Sequence, residues 1–172
     1  MLRQRLPKSL LASIVVSSLA LISIQSTIAR PNSYPSKTHP TAIIFSKENQ
    51  SQKYLLDGIQ KALSGDYPGA IEAYDLALQF APANAEAYYN RGVAYFSIGH
   101  SDNALQDFER AISITPSMAE AYGNRGTIRL QMGEYKSALS DFQTAADLFE
   151  QEDDHISAEA MRSLIHQNTA QP

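Results

Sequence analysis

Six of the eight glycines in this chain occupy two phases of one period: Gly58, Gly92 and Gly126 stand 34 residues apart, and so do Gly65, Gly99 and Gly133. Alanine keeps the same interval at Ala70, Ala104 and Ala138 and again at Ala77, Ala111 and Ala145, an aromatic at Tyr74, Phe108 and Phe142, and tyrosine at Tyr54, Tyr88 and Tyr122. A fixed period of this length marks one supersecondary unit repeated along the chain, too small to bury its apolar face alone and therefore stacked on its copies. The units run 51–84, 85–118 and 119–152, and the second and third agree at 13 of 34 positions. Pro82 and Pro116 close the first two units, and Glu150 stands in place of the third proline.

The residue types assign a shape to the unit. In unit two the spacing predicts a first helix over Ala85 to Ile98, ended by Gly99, which can take the left-handed conformation after the last turn. A second helix is expected from about Asp102 to the residues before Pro116, which cannot continue it. Gly92 and Ala104 are small where the two axes approach, and Tyr88, Tyr95, Phe108 and Ile112 fill the space around that contact, so the aromatic stripe reads as core rather than as a cofactor site. The last unit needs a cover. Asp154 to Asn168 offers one, with Ile156, Ala160, Leu164 and Ile165 apolar at helical spacing, Ala160 standing 34 after Gly126, and Asp153 and Asp154 ahead as cap and dipole partners. Seven helices are thus expected between about Ser51 and Asn168, with a capping helix and frayed tail over 153–172.

The pattern resembles the tetratricopeptide repeat family, a 34-residue helix-turn-helix with an aromatic-x-x-x-Gly start, a central alanine, a later aromatic and a terminal proline. The resemblance implies an all-α, right-handed α-solenoid with a concave groove lined by the first helices. Helical phase puts Leu55, Ile59 and Leu63 from unit one on or near that surface, with Tyr89, Asn90, Val93 and Phe96 from unit two and Gly123, Asn124, Thr127 and Gln131 from unit three. Family members that hold a partner's terminal carboxylate use Lys and Asn, then Asn, then Lys and Arg; the matching residues here are Leu55 and Ile59, Asn90, and Glu120 and Asn124. Only Asn90 agrees. Glu120 stands where a cation belongs, so the expected partner is a protein or peptide segment with apolar and basic side chains, its backbone bonded by the asparagines, rather than an acidic C-terminal peptide.

Units two and three also carry Arg91 and Arg125, each followed 16 residues later by an aspartate, Asp107 and Asp141. Unit one has Asp57 and Ala73 at those places, so both members are absent together. The separation suits antiparallel neighbours, and Arg91 with Asp107 and Arg125 with Asp141 are expected as structural ion pairs within their repeats; the competing reading presents the arginines to an anionic partner.

Ahead of the repeats, residues 1–29 have the zones of an export signal. Arg3, Arg5 and Lys8 precede an uncharged, mostly apolar run from Leu10 to Ile24, and Thr27-Ile28-Ala29 gives a small-x-small cleavage pattern before Arg30. The expected location is across a membrane, in a periplasm, a lumen or at the cell surface; an uncleaved N-terminal anchor is the alternative. Residues 30–50, with Pro31, Pro35 and Pro40, read as a flexible linker, inside which the apolar island Ala42 to Phe45 is expected to dock on the repeats.

Composition narrows the function classes. The 14 basic and 18 acidic residues give −4, and without the three basic residues of 1–29 the balance is 11 against 18, or −7, which argues against nucleic acid and anionic lipid. With no cysteine there is no disulfide scaffold, thiolate metal site or cysteine nucleophile. His155 and His166 lie three helical turns apart, too far to share a metal, and the acids Glu150, Glu152, Asp153 and Asp154 lack the pattern of a calcium loop. No phosphate loop or hydrolase motif is present, so no enzyme, cofactor or metal is expected. Two functions remain: an exported scaffold or assembly factor holding a protein segment, or a cell-envelope accessory acting on polysaccharide or membrane.

Overall fold

The computed structural model describes residues 40–169, which lie within one compact unit, Thr38–Pro172, and every element among them is an α-helix. In order these are α1 (Pro40–Leu63), α2 (Tyr67–Phe80), α3 (Ala85–Ser97), α4 (Ser101–Ile114), α5 (Ala119–Gln131), α6 (Tyr135–Gln151) and α7 (His155–Asn168). Each helix packs on its successor, so α1–α2, α3–α4 and α5–α6 are hairpins, α2 and α4 each cover the next hairpin's first helix, and α7 lies on α6. Residues 1–29, with the expected signal and its cleavage point, and 30–39 of the expected linker fall outside the described residues.

The turn within each hairpin is closed by backbone hydrogen bonding around a left-handed glycine. Gly65, Gly99 and Gly133 have φ of 84°, 83° and 82°. The amide of the following residue reaches five residues back, as from His100 to the Tyr95 carbonyl at 2.9 Å, which satisfies carbonyls left over by the helix end. Asp66 and Asn84 cap α2 and α3 by accepting from the Gly69 and Ala87 amides, each at 3.0 Å.

Two boundaries differ from the sequence reading. The linker expected to run to Gln50 is helical from Pro40 onward, continuous with α1. Proline is compatible with a first helical turn because its missing N–H is not needed there, so Pro40 starts a helix rather than prolonging a tether. Ser46 to Gln50 are all exposed, and the side chains of Ala42 to Phe45, expected to dock on the repeats, lie outside the described ones.

The second difference is α7. Without a proline at Glu150, α6 runs on to Gln151, and the α6–α7 turn is built like a turn inside a hairpin, with Asp153 at φ 60° and the Asp154 amide bonded to the Phe149 carbonyl at 2.9 Å. Helix α7 is consequently displaced. It buries Ala158 and Met161, which follow Ala121 and Asn124 by 37 residues instead of 34, and leaves Ala160 and Ile156 exposed, the latter at 86 %. Met161 lies over Gly123, where an added Cβ would meet its sulfur at 3.2 Å. Glu150, drawn below its ordinary pKa first by its bond from Arg162, also holds His155, each at 2.8 Å.

Within the hairpins, Ala70, Ala104 and Ala138 are fully buried, and Phe108 and Phe142 fill the space left by Gly92 and Gly126, where a Cβ would come within 2.9 Å of each ring. At the N-terminal end Leu55, Tyr74 and Leu78 form a core with Ala87 and Ala94 of α3, and buried Ser51 donates to the Ala77 carbonyl at 2.9 Å.

Candidate interaction face on the first helices

The residues expected to line the groove come from α1, α3 and α5, and the structure divides them. Ile59, Tyr89, Asn90, Val93, Phe96 and Thr127 are half-buried, and Gln131 is exposed. Leu55 is 1 % exposed and belongs to the core, which corrects its placement on the groove. The same helix instead presents Leu56 and Leu63, exposed at 57 % and 67 %. Asn124 is also buried, and its amide nitrogen donates to the Tyr89 hydroxyl at 3.2 Å. Its expected role of bonding a partner's backbone is therefore replaced by a bond between repeats. Gly123 is buried beneath Met161 of α7, so it too is lost from the face.

These outcomes follow from side-chain length at a shared phase. Leu55 and Tyr89 stand one period apart, and so do Asn90 and Asn124. Tyr89 is long enough to offer its hydroxyl to Asn124 while its ring tilts against Phe108, centroids 5.9 Å apart. Burial, and then the nearby Glu120 charge, pushes the Tyr89 hydroxyl pKa upward, so it stays neutral. Leu55 offers no acceptor, and Asn90 has no side-chain hydrogen bond among the described residues. Thr127 returns its hydroxyl to the Gly123 carbonyl of its own helix at 2.9 Å.

Charge is distributed unevenly over the repeats. Glu120 and Asp154 both lie within electrostatic reach of Glu152, whose pKa is raised by burial first and then by these two neighbours. The arginines lie elsewhere. Arg91 donates through Nε and Nη2 to both carboxylate oxygens of Asp107, at 2.8 and 2.7 Å, and Arg125 grips Asp141 in the same way at 3.0 and 2.7 Å. Arg91 goes further than a pair within its repeat, because its Nη1 also reaches Asp75 on α2 of the preceding unit. The hydrogen bonds to Asp107 raise the arginine's pKa, whereas burial holds the carboxyl of Asp107 above its ordinary value against the pull of Arg91. Tyr88 and Tyr95 flank the guanidinium at 5.4 and 5.9 Å.

The sequence reading missed Asp75, Glu109 and Arg129. In unit three Arg129 donates to Asp141 at 2.9 Å and to Glu109 of unit two at 3.3 Å, so it bridges the repeats. Asp75 and Glu109 are one period apart and both acidic, a signal the sequence does contain. Arg129 gives no such signal, since Tyr95 is its counterpart in unit two. Among the described residues no three His, Asp or Glu side chains are grouped to hold a metal ion, and no helix is long and apolar enough to cross a membrane.

Family profiles agree with this architecture. A profile described as TPR repeat matches residues 61–99, and profiles described as tetratricopeptide repeat match 85–118 and 119–152, together more than half of the 172 residues. The chain belongs to the tetratricopeptide repeat family. No curated protein sequence matches it. Among solved structures, it resembles the second TPR of Spaghetti (RPAP3) bound to the HSP90 peptide SRMEEVD, with 31% identity over 61% of this chain and 96% of that one and a TM-score of 0.59. The TPR2B domain of yeast Sti1, in its complex with pHsp70, is 26% identical over 72% of this chain and 99% of that one, with a TM-score of 0.67. PcrH in complex with the chaperone binding region of PopD, 18% identical over 72% of this chain and 93% of that one, shares the fold at a TM-score of 0.68. The first two of these neighbours are bound to an HSP90 peptide and to pHsp70, and the chain is a protein-interaction module.

Proposed function

We propose that this chain is an exported, non-enzymatic scaffold or assembly factor that holds a protein segment with apolar and basic side chains against the face of α1, α3 and α5. The observation that carries the reading is the chemistry of that face. Leu56, Ile59 and Leu63 lie at one end, Asn90, Val93 and Phe96 in the middle, and Glu120 at the other, with no lysine or arginine at any groove position. A neighbour in the same family holds SRMEEVD, whose end is acidic. Here an acidic end would meet Glu120 and find one matching asparagine, Asn90, with its amide still available. Export rests on the basic, apolar and small-x-small zones of residues 1–29.

Fluorescence anisotropy with labelled peptides tests the face. Peptides alternating apolar and basic residues are expected to bind residues 30–172, weakening when Asn90 is replaced by Arg, while SRMEEVD does not bind. Equal or tighter binding of SRMEEVD overturns the assigned partner chemistry. Mass spectrometry of the native protein tests export: an N-terminus at Arg30 supports cleavage, and an intact Met1 in a membrane fraction supports an anchor.

A further inference from the structure

A tyrosine hydroxyl has one proton to donate and two lone pairs with which to accept. At Tyr89 only the accepting side is in use: the Asn124 amide nitrogen donates to it at 3.2 Å, and the hydroxyl makes no other hydrogen bond among the described residues. Its own proton therefore meets no acceptor there. Burial keeps that proton in place, because it holds the hydroxyl's pKa above the ordinary tyrosine value. The bond from Asn124 also restricts where the proton can point. With the ring tilted against Phe108 and a lone pair engaged from the next repeat, the O–H is turned away from Asn124.

A donor left unmet at a half-buried site costs free energy until something accepts from it. The period shows how singular this one is. Its phase is held by Leu55 in unit one, whose side chain ends in the core, and by Gly123 in unit three, which has no side chain, so unit two alone offers a hydroxyl there. Asn90, the next residue along α3, also has no side-chain hydrogen bond among the described residues, and the half-buried Val93 and Phe96 make the same stretch of the face apolar. Both donors are neutral, and no lysine or arginine shares the groove positions with them. Such a pair suits a neutral acceptor, where a carboxylate would call for a cation.

We infer that the Tyr89 hydroxyl donates to a main-chain carbonyl of the protein segment held on this face, and that Asn124 is the positioning residue that aims it. This inference rests on the groove reading above and deepens it by naming the partner atom that is recognised. Asn124 thus acts on the partner through Tyr89 and does not touch it. Every sequence carries main-chain carbonyls, so Tyr89 adds affinity without reading side chains, and selection among sequences falls to the apolar surface around it.

Isothermal titration calorimetry tests this on residues 30–172, which contain the whole described unit 40–169. The probe is a peptide of alternating leucine and lysine, acetylated at one end and amidated at the other. Lysine only donates and leucine does neither, so the probe has no acceptors except its main-chain carbonyls. Tyr89→Phe is expected to weaken binding about three- to tenfold, the worth of one neutral hydrogen bond. Asn124→Leu breaks the same bond between repeats but keeps the hydroxyl, so it is expected to lower the melt about as much as Tyr89→Phe while weakening binding less than about threefold. Asn124→Ala takes its place where Asn124→Leu does not fold. The two substitutions together are expected to bind no more weakly than Tyr89→Phe alone, because without the hydroxyl Asn124 has nothing to aim. Equal weakening by the two single variants would mean that the bond only braces the repeats, and overturns the inference. An affinity unchanged by Tyr89→Phe, or losses that add in the double variant, also overturns it, and in each of these cases the groove reading stands because the parent chain still binds. A parent chain that does not bind the probe overturns the groove reading and this inference with it.

Discussion

Between units one and two, Arg91 reaches back to Asp75 and forward to Asp107 from between two tyrosine rings, and Leu55 closes the contact without a polar group. Between units two and three the bridging cation has moved one turn along the helix. Arg129 joins Glu109 to Asp141, Arg125 keeps only Asp141, and Tyr89 bonds Asn124 across the boundary. The acids stand in phase, Asp75 with Glu109 and Asp107 with Asp141, while the cation is supplied from either of two turns. What the stack requires is a carboxylate on the second helix and a guanidinium within reach, and reach is generous for a side chain as long as arginine.

The sharpest way to break the comparison is to attack what the two junctions share. Gly92→Leu and Gly126→Leu drive a side chain into Phe108 and Phe142 respectively, and each is expected to lower unfolding stability by at least ~1–3 kcal/mol in a denaturant titration. A large inequality between them shows that the repeats are not equivalent even at their tightest contact. Next come the buried acids. Asp141→Asn leaves Arg125 without its carboxylate and leaves Arg129 only the more exposed Glu109, whereas after Asp107→Asn the single arginine keeps Asp75, so the expected losses are about 3 kcal/mol for Asp141 and nearer 1–2 kcal/mol for Asp107, below the full range for a wholly buried pair because the arginines are partly exposed. Equal losses would mean that Arg125's lack of a second carboxylate costs nothing. Tyr89→Phe removes the one side-chain hydrogen bond that ties Asn124 to the preceding unit and is expected to cost about 1 kcal/mol, with no counterpart at Leu55. Smallest of all, Asp75→Ala and Glu109→Ala remove half-exposed partners; each is expected to cost less than ~1 kcal/mol, an effect that disappears in high salt.

The period alone makes the helices, their turns and the glycine-aromatic contacts legible, because each of these depends on a residue type at a fixed interval. The 16-residue spacing from Arg91 to Asp107 and from Arg125 to Asp141 likewise places partners on facing helices. Depth is harder to read. Phase tells which way a Cα points but not where the side chain ends, so Leu55 and Tyr89 were alike on paper while one stops in the core and the other reaches the face. Asn124 was misplaced for the same reason: its burial depends on an acceptor one repeat away. The start of α1 was hidden by Pro31, Pro35 and Pro40, which suggest a tether although proline is compatible with a first turn. The shift of α7 was hidden because a period read from three copies gives no warning of where it stops.

That shift bears on how many repeats such a chain can carry. A further copy of unit two inserted between Met118 and Ala119 would find its proper neighbours on both sides, since the interval there is unbroken. A copy joined after Asn168 would meet a helix three residues out of step, with Ile156 and Ala160 turned outward where the next hairpin would need its small-residue seat. The array's length is therefore set by a surplus of three residues at the end of α6, a spelling error in the metre that works as a full stop.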